Sequence, residues 1–272
     1  MPDNSAKALL TLERQDELIF SGRSIRFDTP VIFGGQLLAQ SLYAAANTLP
    51  RGCFANHLSA HFLNYGNPEV DLQFQVRVIK DGQSTNIRQV EVTQAGRLLM
   101  LSMVSFAQTS AGYEFFSAMP DVPQADTLTD DNSIRFGLTA DQSAFPFSMV
   151  GCPDDIGHDA NTSSIWVRAL IDTDHNRLWQ QMLFAFVSDA TVLQSALRPH
   201  RLNFGDPGLT VATMNHTLWF HRMPEIEDWM LIHSNSPSTG SGRGLSVASA
   251  FNGSGELQCT VAQEGVLKRR SA

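Results

Sequence analysis

The chain has few cysteines for its 272 residues: Cys53, Cys152 and Cys259 are far apart and odd in number. They form neither a disulfide framework nor the Cys-x-x-Cys spacing of a structural metal site, so a reducing compartment is the simpler expectation. Long Lys/Arg runs are also missing, and the net charge is -8. That balance argues against nonspecific nucleic-acid binding, which depends on neutralising phosphates, and leaves room only for a local basic site. Apolar runs such as Leu98–Val104 are too short to cross a bilayer. The opening MPDNSAKALLTLERQDE has no apolar core of signal-peptide length, and the closing LKRRSA is not an SKL-type address. These absences predict a cytoplasmic protein with no integral membrane segment. No GxSxG elbow occurs, which removes the serine-nucleophile route of α/β-hydrolases. The Gly-rich STGSGRG at 238–244 lacks a GK[ST] ending and precedes a strand pattern, so it is not a nucleotide phosphate loop.

What is present is an ordinary globular composition, 43% hydrophobic and 17% charged, with enough apolar residues for a large core without metals or disulfides. In LFAFVSDATVLQSAL, residues 183–197, apolar side chains surround the helix, which marks a segment packed on most sides. Asp189 sits in its middle, where ionisation costs several kcal/mol unless the carboxylate is paired or hydrogen-bonded. A second mostly apolar helix is expected over FGGQLLAQSLYAAANTLP, residues 33–50, ended by Pro50. A short helix is expected over 5–14, capped by Asn4 or Ser5, and a first strand over Leu18–Ser24. Val70, Leu72, Phe74, Val76 and Val78 alternate with polar residues, the pattern of a half-wet strand. Arg88–Thr93 and Leu98–Gln108 read as a hairpin turning at Gln94-Ala95-Gly96, and Leu245–Phe251 with Leu257–Gln263 as another turning at Asn252-Gly253. Residues 121–160 carry eight aspartates, one arginine and three prolines, the composition of an excursion across the surface.

The two halves repeat. QLLAQSL (36–42) lies over ATVLQSA (190–196), NHLSAHF (56–62) over NHTLWFH (215–221), and Arg88…Gln108 over Arg243…Gln263. Each half reads as strand, buried helix, then an antiparallel run of strands. The expected fold is α+β, a double hotdog: two tandem units, each a central helix wrapped by a curved antiparallel sheet. The boundaries are expected at 1–115 and 161–272, with an acidic linker over 116–160. The repeat also acts as an internal control. Gly35 lies over Asp189 and Phe54 over Thr213, while only Gln108 matches Gln263, so one polar set per chain is expected. Gln263 shares an alternating strand face with Leu257, Cys259 and Val261, and a buried amide needs a partner.

The segments VIFGGQLLAQSLYAA, FVSDATVLQSALRPH, TVATMNHTLWFHR and CTVAQEGVLKRR together resemble the type II acyl-CoA thioesterases, over nearly the whole chain. The resemblance implies hydrolysis of acyl-CoA to free fatty acid and CoA, no metal or organic cofactor, and a homo-oligomer. It implies that Asp189, Thr213 and Gln263 bind and activate the attacking water. Two departures stand out. Asn215 replaces the Asp that relatives usually carry before the following His, and Asn64-Tyr65-Gly66 replaces an Arg-Pro-Gly.

The chemistry is consistent with those residue types. A carboxylate takes a proton, a hydroxyl donates to one partner while accepting from another, and an amide offers both a donor and an acceptor. Gly34 and Gly35 let the backbone come close to a thioester, and an N–H at that helix start is placed to polarise its carbonyl. His57, close to a histidine position of relatives, and Arg243, within STGSGRG, are candidate substrate contacts; packing and hairpin stabilisation are the competing roles. His57, His61, His216 and His221 lack flanking carboxylates that complete a metal shell, so no metal is expected. Two other functions compete: a nonenzymatic acyl-CoA binder in which Asp189 only ties helix to sheet, and a hotdog enoyl-CoA hydratase, whose close Asp–His pair is not found after a hotdog helix here.

Overall fold

The computed structural model describes residues 3–25, 27, 30–50, 52–129, 145–153 and 160–269. The first half runs α1 (Asp3–Leu10), β1 (Glu13–Asp16), β2 (Ile19–Gly22), α2 (Gly34–Ala46), β3 (Phe54–Phe62), β4 (Leu72–Lys80), β5 (Thr85–Gln94) and β6 (Arg97–Ala107). The second runs β7 (Phe147–Gly151), β8 (Thr162–Ala169), α3 (Arg177–Thr191), α4 (Gln194–Leu197), β9 (Leu209–Phe220), β10 (Met230–Gly240), β11 (Arg243–Phe251) and β12 (Leu257–Arg269). All twelve strands form one sheet in the order β1-β2-β4-β5-β6-β3-β9-β12-β11-β10-β8-β7. Its two halves mirror each other about the antiparallel β3–β9 pair, where His57 faces Trp219 and His61 faces Asn215. This is the double hotdog fold, with α2 and α3 packed together against the sheet. We propose unit boundaries at 1–115 and 161–272 around that centre, with β7 from the intervening segment added to the second unit's edge.

The helices are where all-round apolar patterning places them. In α2, every residue from Gly35 to Leu42 is buried, and in α3, every residue from Gln180 to Thr191. Their side chains join one core that spans both halves. Asn176 caps α3, its side-chain oxygen accepting from the N–H groups of Leu178 and Trp179 at 3.0 and 3.2 Å. Gln36 and Gln40, both fully buried, tie α2 to the preceding segment by donating to the Arg23 carbonyl at 3.1 and 3.0 Å. The helices meet closely at Gly35, where a Cβ atom would lie 2.2 Å from the Phe186 carbonyl oxygen.

Several boundaries differ from expectation. The first strand is shorter, Ile19–Gly22, and pairs with a four-residue strand whose fully exposed ERQD carries no apolar alternation to betray it. Inside the acidic 116–160 segment, β7 pairs with β8 as the sheet's edge, so part of the expected linker belongs to the sheet. Residues around Val122 and Ala125 cover Trp166, Leu231 and Phe251, and the Trp166 indole donates to the Pro123 carbonyl at 2.8 Å. The β5–β6 turn lies where expected, with Ala95 and Gly96 both at positive φ. At the other hairpin the turn is a five-residue loop: Asn252 N–H donates to the Glu256 carbonyl, its side chain accepts from Glu256 N–H, and positive φ falls on Gly255.

Replacing Gly35 with alanine forces α2 away from α3. Overpacking of this kind costs about 2 kcal/mol, so the urea midpoint should fall clearly below that of the wild type; an unchanged midpoint would contradict the close helix contact.

Candidate active site

Asp189 lies near the C-terminal end of α3, three residues after Phe186, and its carboxylate is buried between the two helices and the sheet. Three elements supply it with donors. The Thr213 hydroxyl, from β9, donates to Asp189 Oδ1 at 2.8 Å. Gln263 Nε2, from β12, donates to the same oxygen at 2.7 Å and contacts Thr213 Oγ1 at 2.8 Å. The Gly35 N–H, in the first turn of α2, hydrogen-bonds the carboxylate as well. Oδ2 faces Gly34, where a Cβ atom would come within 2.7 Å of it and within 3.0 Å of the Phe62 ring. A side chain at position 34 would therefore displace the carboxylate.

The electrostatics follow from this geometry. Burial raises the Asp189 pKa, and the hydrogen bonds from Thr213, Gly35 and Gln263 oppose it; the result is about 6 against an ordinary 3.8. The group therefore changes charge near neutrality, as suits a general base. Behind Gln263 stands His216, its cross-strand partner, fully buried and pushed down to about 3, so its imidazole is neutral. Its Nε2 lies 3.0 Å from Ser188 Oγ. His216 Nδ1 and Gln263 Oε1 are both buried without a partner of full hydrogen-bond geometry, yet the amide still raises the imidazole's proton affinity above what burial alone would set.

A bulge makes the cluster possible. Along β9, His216 faces Gln263 and Asn215 faces Glu264, but the next pair is Thr213 with Gly265, which leaves Met214 as the extra residue. Simple alternation from His216 would turn Thr213 to the outer face; the bulge turns it back toward Asp189.

The expected residues thus separate. Asp189, Thr213 and Gln263 converge, and Gly35 joins them through a backbone N–H that engages the carboxylate rather than standing open to a thioester oxygen. His57 does not join them. It lies on the opposite face of the sheet, paired in register with Trp219, the two ring centroids 5.2 Å apart; simple alternation with the buried Leu58 and Ala60 sends it outward. Arg243 also stands apart, at the start of β11, with Nε 3.6 Å from Glu264 Oε1. Gln108 falls beyond β6 and is exposed, so among the described residues the first half holds no counterpart of the Asp189, Thr213 and Gln263 set. Among the described residues no group of three His, Cys, Asp or Glu side chains is placed to hold a metal, and the three cysteines are free. The adjacency of Ser188 and His216, behind Gln263, has no sequence signal, because it depends on how α3 packs on β9.

Comparison with known proteins bears on the family and the fold. Residues 24–107 match the family description "Acyl-CoA thioesterase N-terminal domain" and residues 154–266 match "Acyl-CoA thioesterase". The chain is 28% identical to acyl-CoA thioesterase 2 of Haemophilus influenzae, over 97% of both proteins. It is 29% identical to acyl-coenzyme A thioesterase 8 of Mus musculus, over 96% of this chain and 88% of the other. The crystal structure of an acyl-CoA thioesterase II from Mycobacterium marinum superposes with a TM-score of 0.85 at 27% identity, covering 98% of this chain and 99% of that one. The chain belongs to the acyl-CoA thioesterase family. Its two departures from the usual pattern of that family have distinct surroundings. Asn215 donates to Glu264 Oε2 at 3.1 Å on the outer face, away from Asp189. Asn64 donates to the Leu98 carbonyl at 2.8 Å, beside an exposed Tyr65.

The raised pKa has a sign that stability measurements can read. Because the folded value exceeds the unfolded one, the Asp189 contribution to stability is complete only well below pH 3.8 and is lost as pH rises from there through about 6. The stability of Asp189→Asn relative to wild type should therefore improve by about 2 kcal/mol between pH 4 and pH 8, read from urea unfolding at each pH. A gap independent of pH would contradict a carboxylate that pays for burial.

Proposed function

We propose that this chain hydrolyses acyl-CoA thioesters to a free fatty acid and CoA by direct attack of a water oriented by Asp189, Thr213 and Gln263. Family membership makes acyl-CoA thioester hydrolysis the activity class; the roles of the three residues are our reading. The observation that carries it is a single carboxylate with a pKa of about 6, bonded by a hydroxyl and an amide from two other elements. Water supplies the nucleophile: its oxygen forms the new bond to the thioester carbon while Asp189 takes one of its protons. The C–S bond then breaks, the CoA thiolate leaves, and the proton held by Asp189 passes to sulfur. No covalent intermediate with the protein is needed, and the Thr213 hydroxyl and Gln263 amide, both bonded to Asp189 Oδ1, hold the carboxylate in one orientation toward the water.

The acyl chain has an apolar wall close by. Phe186 packs against Phe33, Phe145 and Phe147 with ring centroids 5.0, 6.0 and 5.6 Å away, just ahead of Asp189 on one side and Gly34 on the other. A nonenzymatic acyl-CoA binder has no need of a carboxylate tuned toward neutrality. The working form in this reading is a cytoplasmic homo-oligomer.

Asp189→Asn, Thr213→Val and Gln263→Ala should each fold and lose at least about 100-fold in kcat toward acyl-CoA. The wild-type kcat/KM should fall below pH 6 as Asp189 gains a proton, with no second limb from His216 between pH 4 and 8. Undiminished turnover in Asp189→Asn would overturn the mechanism.

A further inference from the structure

We propose that a basic cleft at the far end of β9 and β12 seats the phosphate groups of the CoA moiety, with the pantetheine arm lying along the exposed edge of β9. This rests on the thioesterase reading and extends it to a site some distance from the reacting carbon. The cleft has a volume of about 400 Å³, and its walls include His200, Leu209, Thr239, Arg243, Lys268 and Arg269. No carboxylate lines it, in a chain whose net charge is -8. Arg243 shares its charge with Glu264 at 3.6 Å, while Lys268 and Arg269 make no ion pair among the described residues. His200 Nε2 is held 2.8 Å from Thr239 Oγ1.

The turn that shapes one wall leaves room for those cations. Ser241 and Gly242 both have positive φ, and a Cβ on Gly242 would come within 2.6 Å of Lys268 Cε. Lys268 therefore crosses the bare backbone of the turn. A phosphate is a suitable occupant, because Arg and Lys supply several donors at once to a multiply charged oxyanion.

The position of the cleft matches the shape of CoA. β3 pairs with β9 only from His57↔Trp219 to His61↔Asn215; beyond Asn215, the β3 side of β9 has no strand partner among the described residues. Residues Leu209–Met214 are half-buried there and leave backbone N–H and C=O groups along an edge. Pantetheine carries two amides that can pair with such an edge in the manner of an added strand. The edge runs from Thr213, in the polar cluster and paired with Gly265, to Leu209, in the cleft and paired with Arg269. Four residues of strand span about 13 Å, of the order of an extended pantetheine arm between sulfur and diphosphate.

Calorimetric titration with CoA, dephospho-CoA and pantetheine tests this directly in the wild type and in Lys268→Gln/Arg269→Gln. The ratio of pantetheine Kd to CoA Kd should fall about fivefold to tenfold in the double variant, as expected for two exposed charge contacts, and rising salt should shrink the difference. A loss that persists with dephospho-CoA assigns the diphosphate to the cleft, and a loss confined to CoA assigns the 3′-phosphate. An unchanged CoA affinity in the double variant would overturn the proposal, and would leave an acidic carrier protein as the alternative occupant. Hydrolysis of acyl-CoA by the wild type is measured alongside; its absence would overturn the thioesterase reading, while the titration still decides what the cleft binds.

Discussion

The site depends on one unfavourable arrangement, an acid buried in an otherwise apolar helix. Left alone among Phe184, Phe186, Val187 and Val192, Asp189 would remain protonated at neutral pH and serve no proton-accepting role. Three donors from separate parts of the chain pull its pKa back toward neutrality without restoring it to that of a surface aspartate. The same opposition of burial and hydrogen bonding explains the buried Gln263, the bulge in β9 and the glycines at the start of α2. Each exists to bring a donor to the carboxylate or to make room for it.

The repeat explains why the two halves contribute differently. Gly35 and Asp189, matched in the internal alignment, meet where α2 and α3 cross. The first half supplies close backbone approach and one N–H; the second supplies the acid, the hydroxyl and the amide. A second acid at position 35 would set two carboxylates within reach of each other in a low-dielectric space, where mutual repulsion forces one to stay protonated. A single site for each pair of hotdog units is the arrangement that avoids this cost.

Much of the architecture was legible in the sequence because its signals are periodic. Helices apolar on every side, the alternation in β4 and the Ala95-Gly96 turn all depend on local chemistry that a linear reading captures. The face of Gln263 was legible for the same reason, with Cys259 and Val261 buried beside it. Features set by interruptions of the period were not. The inward turn of Thr213 depends on the bulge at Met214, and Thr213 entered as a candidate through family resemblance rather than alternation. The outer face of His57, by contrast, follows from plain alternation with Leu58 and Ala60. The strand β1 has no apolar residue, and β7 sits within an acidic stretch whose composition masks it. The His216–Ser188 pair needed the packing of α3 on β9, a tertiary fact.

The central claim concerns the proton affinity of one carboxyl group, so the most direct measurement is its titration by carbon-13 NMR with label at aspartate, Asp189 being assigned by its loss in Asp189→Asn. The account predicts a midpoint of about 6, moving upward when the Gln263 donor is removed by Gln263→Ala. A midpoint near 4 in the wild type, insensitive to the Gln263 substitution, would contradict it.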